Sequence, residues 1–443
     1  MSASVGYDVV ILGGGPAGHA AALSAARRGA TVALVEPDKP GGQCVHYACI
    51  PTAAMLSAID AWVDAQELTG VGVTDVGAFD FGRAVARKEA LVTRMGNGVA
   101  ASLRMAGVEL VRGSAAFVDL RTVTVSGETP VELTAEAFVV ATGTSWDVPA
   151  LAGVPSGKVV TADVVHTMSK APGSALVLGG GPADTAFAVE YAYLLAAAGT
   201  SVTLALPGDR LVPALDEELE PIARGVLETF GVTVVEHSDG ADLAADVEVV
   251  LAVDVRRPSF MSARLEAAGV HTDTTVPVDG ACRTNVGHVY AAGDVTGGVM
   301  VTAAAAHMGE VAGTNAAGGS ARTRLHHLPY ALHTEPEIGW VGVSEASARA
   351  AGHDVVTAVV DLSWTARAIT LGGREGVLKV VAERELGEVL GIHAVGPGAA
   401  EIVAAGAMAL QSELTLEDVA ATVHWHPSAA ESLADAARAA LRA

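Results

Sequence analysis

The sequence predicts an α/β protein in which two strand, glycine-turn and helix units are followed by a mixed α+β C-terminal part. Three observations carry this reading. Tyr7–Leu12, YDVVIL, is a short apolar run that leads directly into Gly13-x-Gly15-x-x-Gly18 and an alanine-rich helix. From Ser174 the order repeats, with Ala175–Leu178 leading into Gly179-Gly180-Gly181, a helix and the strand Val202–Leu206. The 443 residues are 51% hydrophobic, enough to bury large cores and to suggest about three domains.

In the first unit the glycines permit a tight turn and let a pyrophosphate approach the N-terminus of the helix. Thr31–Val35 makes the second strand and ends at Glu36, placed to bind a ribose hydroxyl. The pattern signals a dinucleotide and leaves open whether that is FAD or NAD. Farther on, the apolar positions of Asp80–Met105 recur at helical spacing, and Val108–Val111, Thr122–Val125 and Phe138–Ala141 read as strands. Gly70–Asp80 reads as a loop. From about residue 323 the pattern changes to strands and helices such as Gly376–Ala382, Val389–Val395 and Ala399–Ser412.

Between the first unit and its long helix lies Gly41–Met55, GGQCVHYACIPTAAM. Four residues separate Cys44 from Cys49, so one helical turn brings the thiols within disulfide reach. Ile50-Pro51-Thr52 suits a helix start, because proline is tolerated where its missing N–H has no partner. Cys49 then lies at a helix N-terminus, where unpaired N–H groups and the dipole stabilise a thiolate. The same spacing also fits half of a zinc site or two buried thiols. Zinc needs four ligands, however, and the third cysteine, Cys282, is remote and reads as a small surface or core residue.

Composition narrows the class. The formal net charge is −23, from 27 basic and 50 acidic residues, which argues against nucleic acid or an anionic membrane as partner. No apolar run is expected to span a membrane and no signal-peptide pattern is read at the N-terminus, so a cytoplasmic protein is expected. Three cysteines agree with a reducing compartment, where a disulfide is more often catalytic than structural.

Gly41-Gly42-Gln43-Cys44 followed by Cys49-Ile50-Pro51 resembles the flavoprotein disulfide reductases, the class I pyridine nucleotide-disulfide oxidoreductases that include lipoamide dehydrogenase, glutathione reductase and mycothione reductase. Ala141-Thr142-Gly143 resembles the family's ATG turn, and Tyr290–Val295 its second FAD motif, with Gly293 and Asp294. His424-Trp425-His426-Pro427-Ser428-x-x-Glu431 resembles the C-terminal HxHPxxxE. The resemblance, in order over nearly the full length, implies two Rossmann-like dinucleotide-binding domains plus an α+β C-terminal dimerisation domain. The expected segments are 1–148 and 269–322 for FAD, 149–268 for a shortened NAD(P)-like domain and 323–443 for the homodimer interface. It implies FAD held by Gly13, Gly15, Gly18, Glu36, Gly42, Ala141, Thr142, Gly143, Gly293 and Asp294, and NAD(H), if any, by Gly179 and Gly181.

The resemblance also assigns chemistry. Cys44 and Cys49 form the redox disulfide, and His426 exchanges a proton with the substrate thiol at Cys44 across the dimer. Glu431 orients that ring, although Ser428-x-x-Glu431 also reads as a capping box. His424 reads as a packing or supporting histidine and Trp425 as interface filling.

Two departures from the family stand out. In Gly179-x-Gly181-x-x-Asp184 an acid occupies the third glycine position, Pro182 the place of an aromatic gate, and Val255 that of the glycine before Arg256-Arg257-Pro258. The strand ends at Leu206-Pro207 with neither an acid for a ribose nor arginines for a 2′-phosphate, and Val232–Val250 is too short for the domain's usual β-ribbon. Losing one ionic ribose contact is worth roughly 1.5–3 kcal/mol, ten- to a hundredfold in affinity. The second departure is Ala53, which replaces the lysine expected beside the flavin, while Ala186 occupies the position read as that of its glutamate partner. Both halves of an ion pair are thus read as lost together, a nearly neutral exchange.

The expected function is an FAD-dependent dithiol/disulfide oxidoreductase resembling dihydrolipoamide dehydrogenase, acting on a small dithiol or lipoyl-like group. NADH is favoured over NADPH if a nicotinamide is used. The alternatives are a nicotinamide-independent dithiol oxidase reoxidised by O2 or another acceptor, and a non-catalytic flavin scaffold.

Overall fold

The computed structural model describes residues 5–70, 72–127, 130–179, 186–253, 255–372 and 375–443. Its first sheet runs through β1 (Val5–Leu12), β2 (Val32–Glu36), β3 (Glu109–Arg112), β4 (Ser114–Phe117), β5 (Thr122–Ser126) and β6 (Val131–Val140), in the order β3-β2-β1-β6-β5-β4. Val289–Ala291 returns from far along the chain to pair with β6 in parallel. The parallel strands are buried on both faces, which is why they read as continuous apolar runs without alternation. Val9 and Ile11 face α1 (Pro16–Arg27) and the helix Thr302–Ala316, while Val10 and Leu12 face Phe117 and Phe138.

Those two helices lie almost in backbone contact. A Cβ on Gly309 would fall 2.1 Å from the Ala17 carbonyl oxygen, and one on Gly313 would fall 2.2 Å from that of Ala21. Neither position has room for a side chain.

The cysteine segment folds as α2 (Gly42–His46) and α3 (Cys49–Glu67), separated by Tyr47 and Ala48. Contrary to the sequence reading, Gly42–Glu67 is long and apolar enough by composition to cross a membrane, with a mean hydropathy of 1.2. The stretch is interrupted between α2 and α3, and Met55, Leu56 and Ile59 are buried in a core shared with the second unit. Its apolarity is that of a core helix. The adjacent α4 (Phe81–Met105) is capped by Asp80, whose side chain accepts from the Arg83 N–H at 2.9 Å.

The second unit is a fully parallel five-stranded sheet ordered Thr233–Val235, Ser201–Ala205, Ser174–Leu178, Val249–Ala252 and Val159–Thr161. Between Thr233–Val235 and Val249–Ala252 the chain makes a short 3-10 run, Ala241–Asp246, with no strand. The C-terminal part is an antiparallel five-stranded sheet, Tyr330–Leu332, Ile338–Gly342, Val389–Val395, Val377–Glu383 and Val355–Asp361, covered by Ala399–Gln411 and Glu431–Ala440.

An ionic knot ties this sheet to the second unit. Buried Lys379 reaches Asp216 at 2.9 Å, Glu218 at 3.0 Å and Glu345 at 2.8 Å. Burial works against the ammonium charge, but the three carboxylates outweigh it and raise the lysine's pKa. The Asp216 backbone N–H donates to His393 Nδ1 at 3.1 Å. Lys379→Met leaves Asp216 buried without its cation, so a loss of about 3–5 kcal/mol is expected. A lowered denaturant midpoint measures it; an unchanged midpoint would show that the knot contributes nothing.

Candidate active site

An extended cavity of about 580 Å³ is lined by Glu36 and Lys39 and, farther in, by Cys44, Cys49 and Thr302. It opens where β1, β2 and β6 end, the crevice at which such sheets take ligands. Its floor is backbone, because Gly13 has a φ of +104° and a Cβ there would stand 2.3 Å from the Ala141 carbonyl oxygen. Gly42 similarly approaches Gly15, whose Cα would be 2.7 Å from an added Cβ. Pro16 begins α1 against this wall, so the helix presents its unpaired N-terminal N–H groups there.

Glu36 ends β2 with Oε2 accepting from the Gly14 N–H at 2.6 Å and Oε1 from that of Asp38 at 2.9 Å. Burial raises its pKa, and those N–H bonds oppose the rise. Asp294 lines the wall on the turn after Gly293, its carboxyl raised by burial against the opposing pull of Arg256. The Thr142 hydroxyl is buried with no hydrogen-bond partner. A long groove with a glycine floor, a helix N-terminus, a ribose-type acid and an unsatisfied hydroxyl fits FAD. Gly13, Gly15, Glu36, Gly42, Ala141, Thr142, Gly143, Gly293 and Asp294 all line it and would hold the cofactor. Gly18 does not line it; a Cβ there would fall 1.9 Å from the Gly13 carbonyl oxygen, so its contribution is the turn itself.

At the inner end the two sulfurs meet. They are not bonded to each other; instead the Cys44 thiol donates toward Cys49, and this contact is the largest reason that the Cys49 pKa falls to about 6. Burial opposes the fall, and the Thr302 hydroxyl, 3.2 Å from Cys49 Sγ, and the nearby Arg256 reinforce it. Cys49 is also the first residue of α3, the helix position that favours a thiolate. The contact and burial push Cys44 upward. The pair is therefore polarised, with a thiolate at Cys49 and a thiol at Cys44.

His426 and Glu431 stand together at the other end of the chain. His426 Nδ1 is 2.9 Å from Glu431 Oε1, while Glu431 Oε2 accepts from the Ser428 N–H at 2.9 Å. These bonds, the backbone one first, hold the Glu431 carboxyl below its ordinary value. The imidazole is 70% exposed on the single chain, and Trp425 beside it is 81% exposed. The capping box expected at Ser428 is only half formed. The last helix starts at Glu431, with Ala430 as its cap, and the Ser428 hydroxyl has no partner. His424 Nε2 is likewise buried without a partner.

In the second unit the expectations for Gly181, Pro182 and Asp184 lie outside the described residues. Gly179 is described: an added Cβ would stand 2.8 Å from a methyl of Leu206, itself buried. The end of that strand is thus filled by apolar packing where a ribose acid was sought. The reading of Ala186 as the position of a lost glutamate is corrected by the structure. Both dinucleotide units close their helix on a glycine with positive φ, Gly29 and Gly199, whose N–H groups bond back three residues. Counted from these glycines, Ala188 matches Gly18, and Gly179 stands nine positions before it where Gly13 stands five before Gly18, so the second unit is four residues longer there. The buried acid of this helix is Glu190, which lines the cavity with Ala53. Only the lysine is missing. Counting back from Gly199 instead of forward from Gly179 finds Glu190 in the sequence; Thr302 lies outside every motif, and only the structure brings it to the sulfur.

Comparison with known proteins agrees with this geometry. Residues 7–309 match the pyridine nucleotide-disulphide oxidoreductase family and residues 328–437 its dimerisation domain. The chain is 30% identical to a dihydrolipoyl dehydrogenase of Bacillus subtilis over 97% of both chains. It is 34% identical to that of Thermus scotoductus, covering 98% of this chain and 97% of the relative. Among solved structures it resembles LpdA from Mycobacterium tuberculosis, with a TM-score of 0.88, 25% identity and coverage of 98% and 99%. The HOCl-induced flavoprotein disulfide reductase RclA from Escherichia coli gives a TM-score of 0.85 at 25% identity, with coverage of 98% and 99%. The chain belongs to the pyridine nucleotide-disulphide oxidoreductase family: it is an FAD-dependent disulfide oxidoreductase with two Rossmann-like domains and a C-terminal domain that forms a homodimer.

The Thr302 contact makes a measurable statement. In the reduced protein the rate of Cys49 alkylation is expected to rise with pH through a midpoint near 6. Thr302→Val removes a hydrogen bond to a charged sulfur and moves that midpoint up by about one pH unit. An unmoved midpoint would exclude Thr302 from stabilising the thiolate.

Proposed function

We propose that this enzyme exchanges a small dithiol, of lipoyl-like chemistry, for its disulfide at a Cys44–Cys49 pair. The observation that carries the reading is the pair of sulfurs at the inner end of the cofactor cavity, with Cys49 on the first residue of α3 and 3.2 Å from the Thr302 hydroxyl. A substrate thiolate attacks Cys44 of the enzyme disulfide, and Cys49 leaves as the thiolate that its surroundings stabilise. The second substrate thiol then closes on the mixed disulfide, releasing Cys44, so that substrate disulfide and enzyme dithiol form together. His426 of the partner subunit takes the substrate proton and returns one to Cys44, whose raised pKa makes a proton donor necessary. Glu431 holds the imidazole in orientation. Bound FAD supplies the two-electron acceptor that restores the enzyme disulfide. The cytoplasm, kept reducing, is the compartment such an exchange suits.

The partner that reoxidises the cofactor follows one of two readings. NAD+ is the acceptor if the second unit binds it through Gly179 and Gly181, and the absence of a basic cluster after Leu206 favours it over NADP+. The longer stretch between Gly179 and its helix favours the other reading, a dithiol oxidase independent of nicotinamide. It leaves more chain between Gly179 and the helix Phe187–Ala197 than the first unit has between Gly13 and α1, whose N-terminus suits a pyrophosphate.

Anaerobic mixing of the FAD-loaded protein with a small dithiol, with NADH and with NADPH decides between them. The dithiol is expected to reduce the protein and give a thiolate-to-flavin charge-transfer band. Bleaching by NADH would establish the dehydrogenase reading, and reduction by the dithiol alone the oxidase. No reduction by any dithiol would refute both. Cys44→Ser is expected to abolish dithiol turnover, and His426→Gln to slow it by roughly 100- to 10,000-fold, with FAD content unchanged in each.

A further inference from the structure

We propose that His333 is the cation at the sulfur end of the cofactor cavity, standing in for the lysine that Ala53 replaces, and that its imidazole gains a proton when the cofactor is reduced. This rests on the FAD reading of the cavity and goes beyond it in assigning the charge that sets the cofactor's potential.

The wall at that end combines Ala53 of α3, Phe187, Glu190 and Tyr191 of the helix Phe187–Ala197, and Ala331 and His333 of the C-terminal domain. Glu190 is 6% exposed, and its Oε1 accepts from the His333 backbone N–H at 2.8 Å, which anchors His333 beside the carboxylate. The imidazole Nδ1 lies 3.7 Å from Glu337 Oε1. Among the described lining residues the groups able to carry positive charge are Lys39, Arg256 and His333. Lys39 belongs to the ribose end with Glu36, and Arg256 lies 3.4 Å from Asp294. His333 is the one tied to Glu190, through its backbone N–H, in the wall that also holds Ala53.

The groups around the imidazole are acidic on each side. Its own segment contributes Glu337, α3 contributes Asp60, to which the Tyr193 hydroxyl donates at 2.7 Å, and the helix behind contributes Glu190. The Glu337 carboxylate, paired with the imidazole, raises its pKa most; burial opposes the rise, and the charges of Glu190 and Asp60 add to it. Its titration therefore falls above the ordinary histidine value. A lysine there would stay charged throughout.

Reduction adds two electrons and one proton to the bound cofactor, leaving a negative charge that a neighbouring cation stabilises. The same coupling read in reverse raises the affinity of His333 for a proton, which it takes from solvent. Between the imidazole's pKa beside the oxidised cofactor and its higher pKa beside the reduced one, the midpoint potential must fall more steeply with pH. Above that window the potential is lower than a permanent cation would set.

The test is a dithionite titration of the FAD-loaded full chain across neutrality, in a Cys44→Ser, Cys49→Ser background that leaves the cofactor as the sole redox couple. The expected result is a steep stretch in potential against pH. His333→Gln should abolish the stretch and keep the potential at the low, alkaline-side line. His333→Lys should also abolish it but keep the potential on the high, acid-side line, a rescue that a purely structural role would not produce. A steep stretch that persists in either folded variant overturns the proposal, as does its absence from the His333 protein. FAD content is measured first: a chain that holds no FAD refutes the cofactor reading, whereas a loaded chain without the steep stretch refutes the role of His333 alone.

Discussion

The meeting of two sulfurs at the end of one groove organises this molecule. Cys49 accepts from Cys44, stands on the first residue of α3 and lies against Thr302. Each contact comes from a different part of the chain: the cysteine segment, the helix that follows it, and the helix that follows Asp294. The first sheet exists to bring these three to the end of one groove. The glycine turn after β1 clears the floor of that groove, and Val289–Ala291 returns to β6 so that Asp294 and Thr302 follow it into the wall.

The parts of this arrangement legible in the sequence are those governed by local rules. A strand running into glycines and then a helix needs only neighbouring residues, and so does a cysteine at a helix start. Glu36, Gly42, Asp294 and the two cysteines accordingly line one cavity. His426 and Glu431, five positions apart, need only the short segment between them to face each other. Thr302 and His333 were illegible, because their roles depend on long-range packing that brings otherwise ordinary residues to the cavity.

The second dinucleotide unit shows a different limit. Its two named strands, Ala175–Leu178 and Val202–Leu206, lie within one residue of the observed ones, yet counting forward from Gly179 put the acid at Ala186, four residues short of Glu190. Registers in a strand–turn–helix unit are set by helix packing on the sheet, so the fixed reference is the helix and its closing glycine. The turn is where length varies. Counting from the variable end misplaced the acid of the helix.

Gly309 and Gly313 allow the helix Thr302–Ala316 to lie on α1 with no side chain between them. Thr302 is the first residue of that helix, so the same contact fixes the height of its hydroxyl over Cys49. A methyl group inserted at Gly309, two turns away, would act as a wedge: it would lift the helix off α1 and draw the hydroxyl from the sulfur. In this fold the acidity of a thiol is set partly by how closely two helices elsewhere can touch.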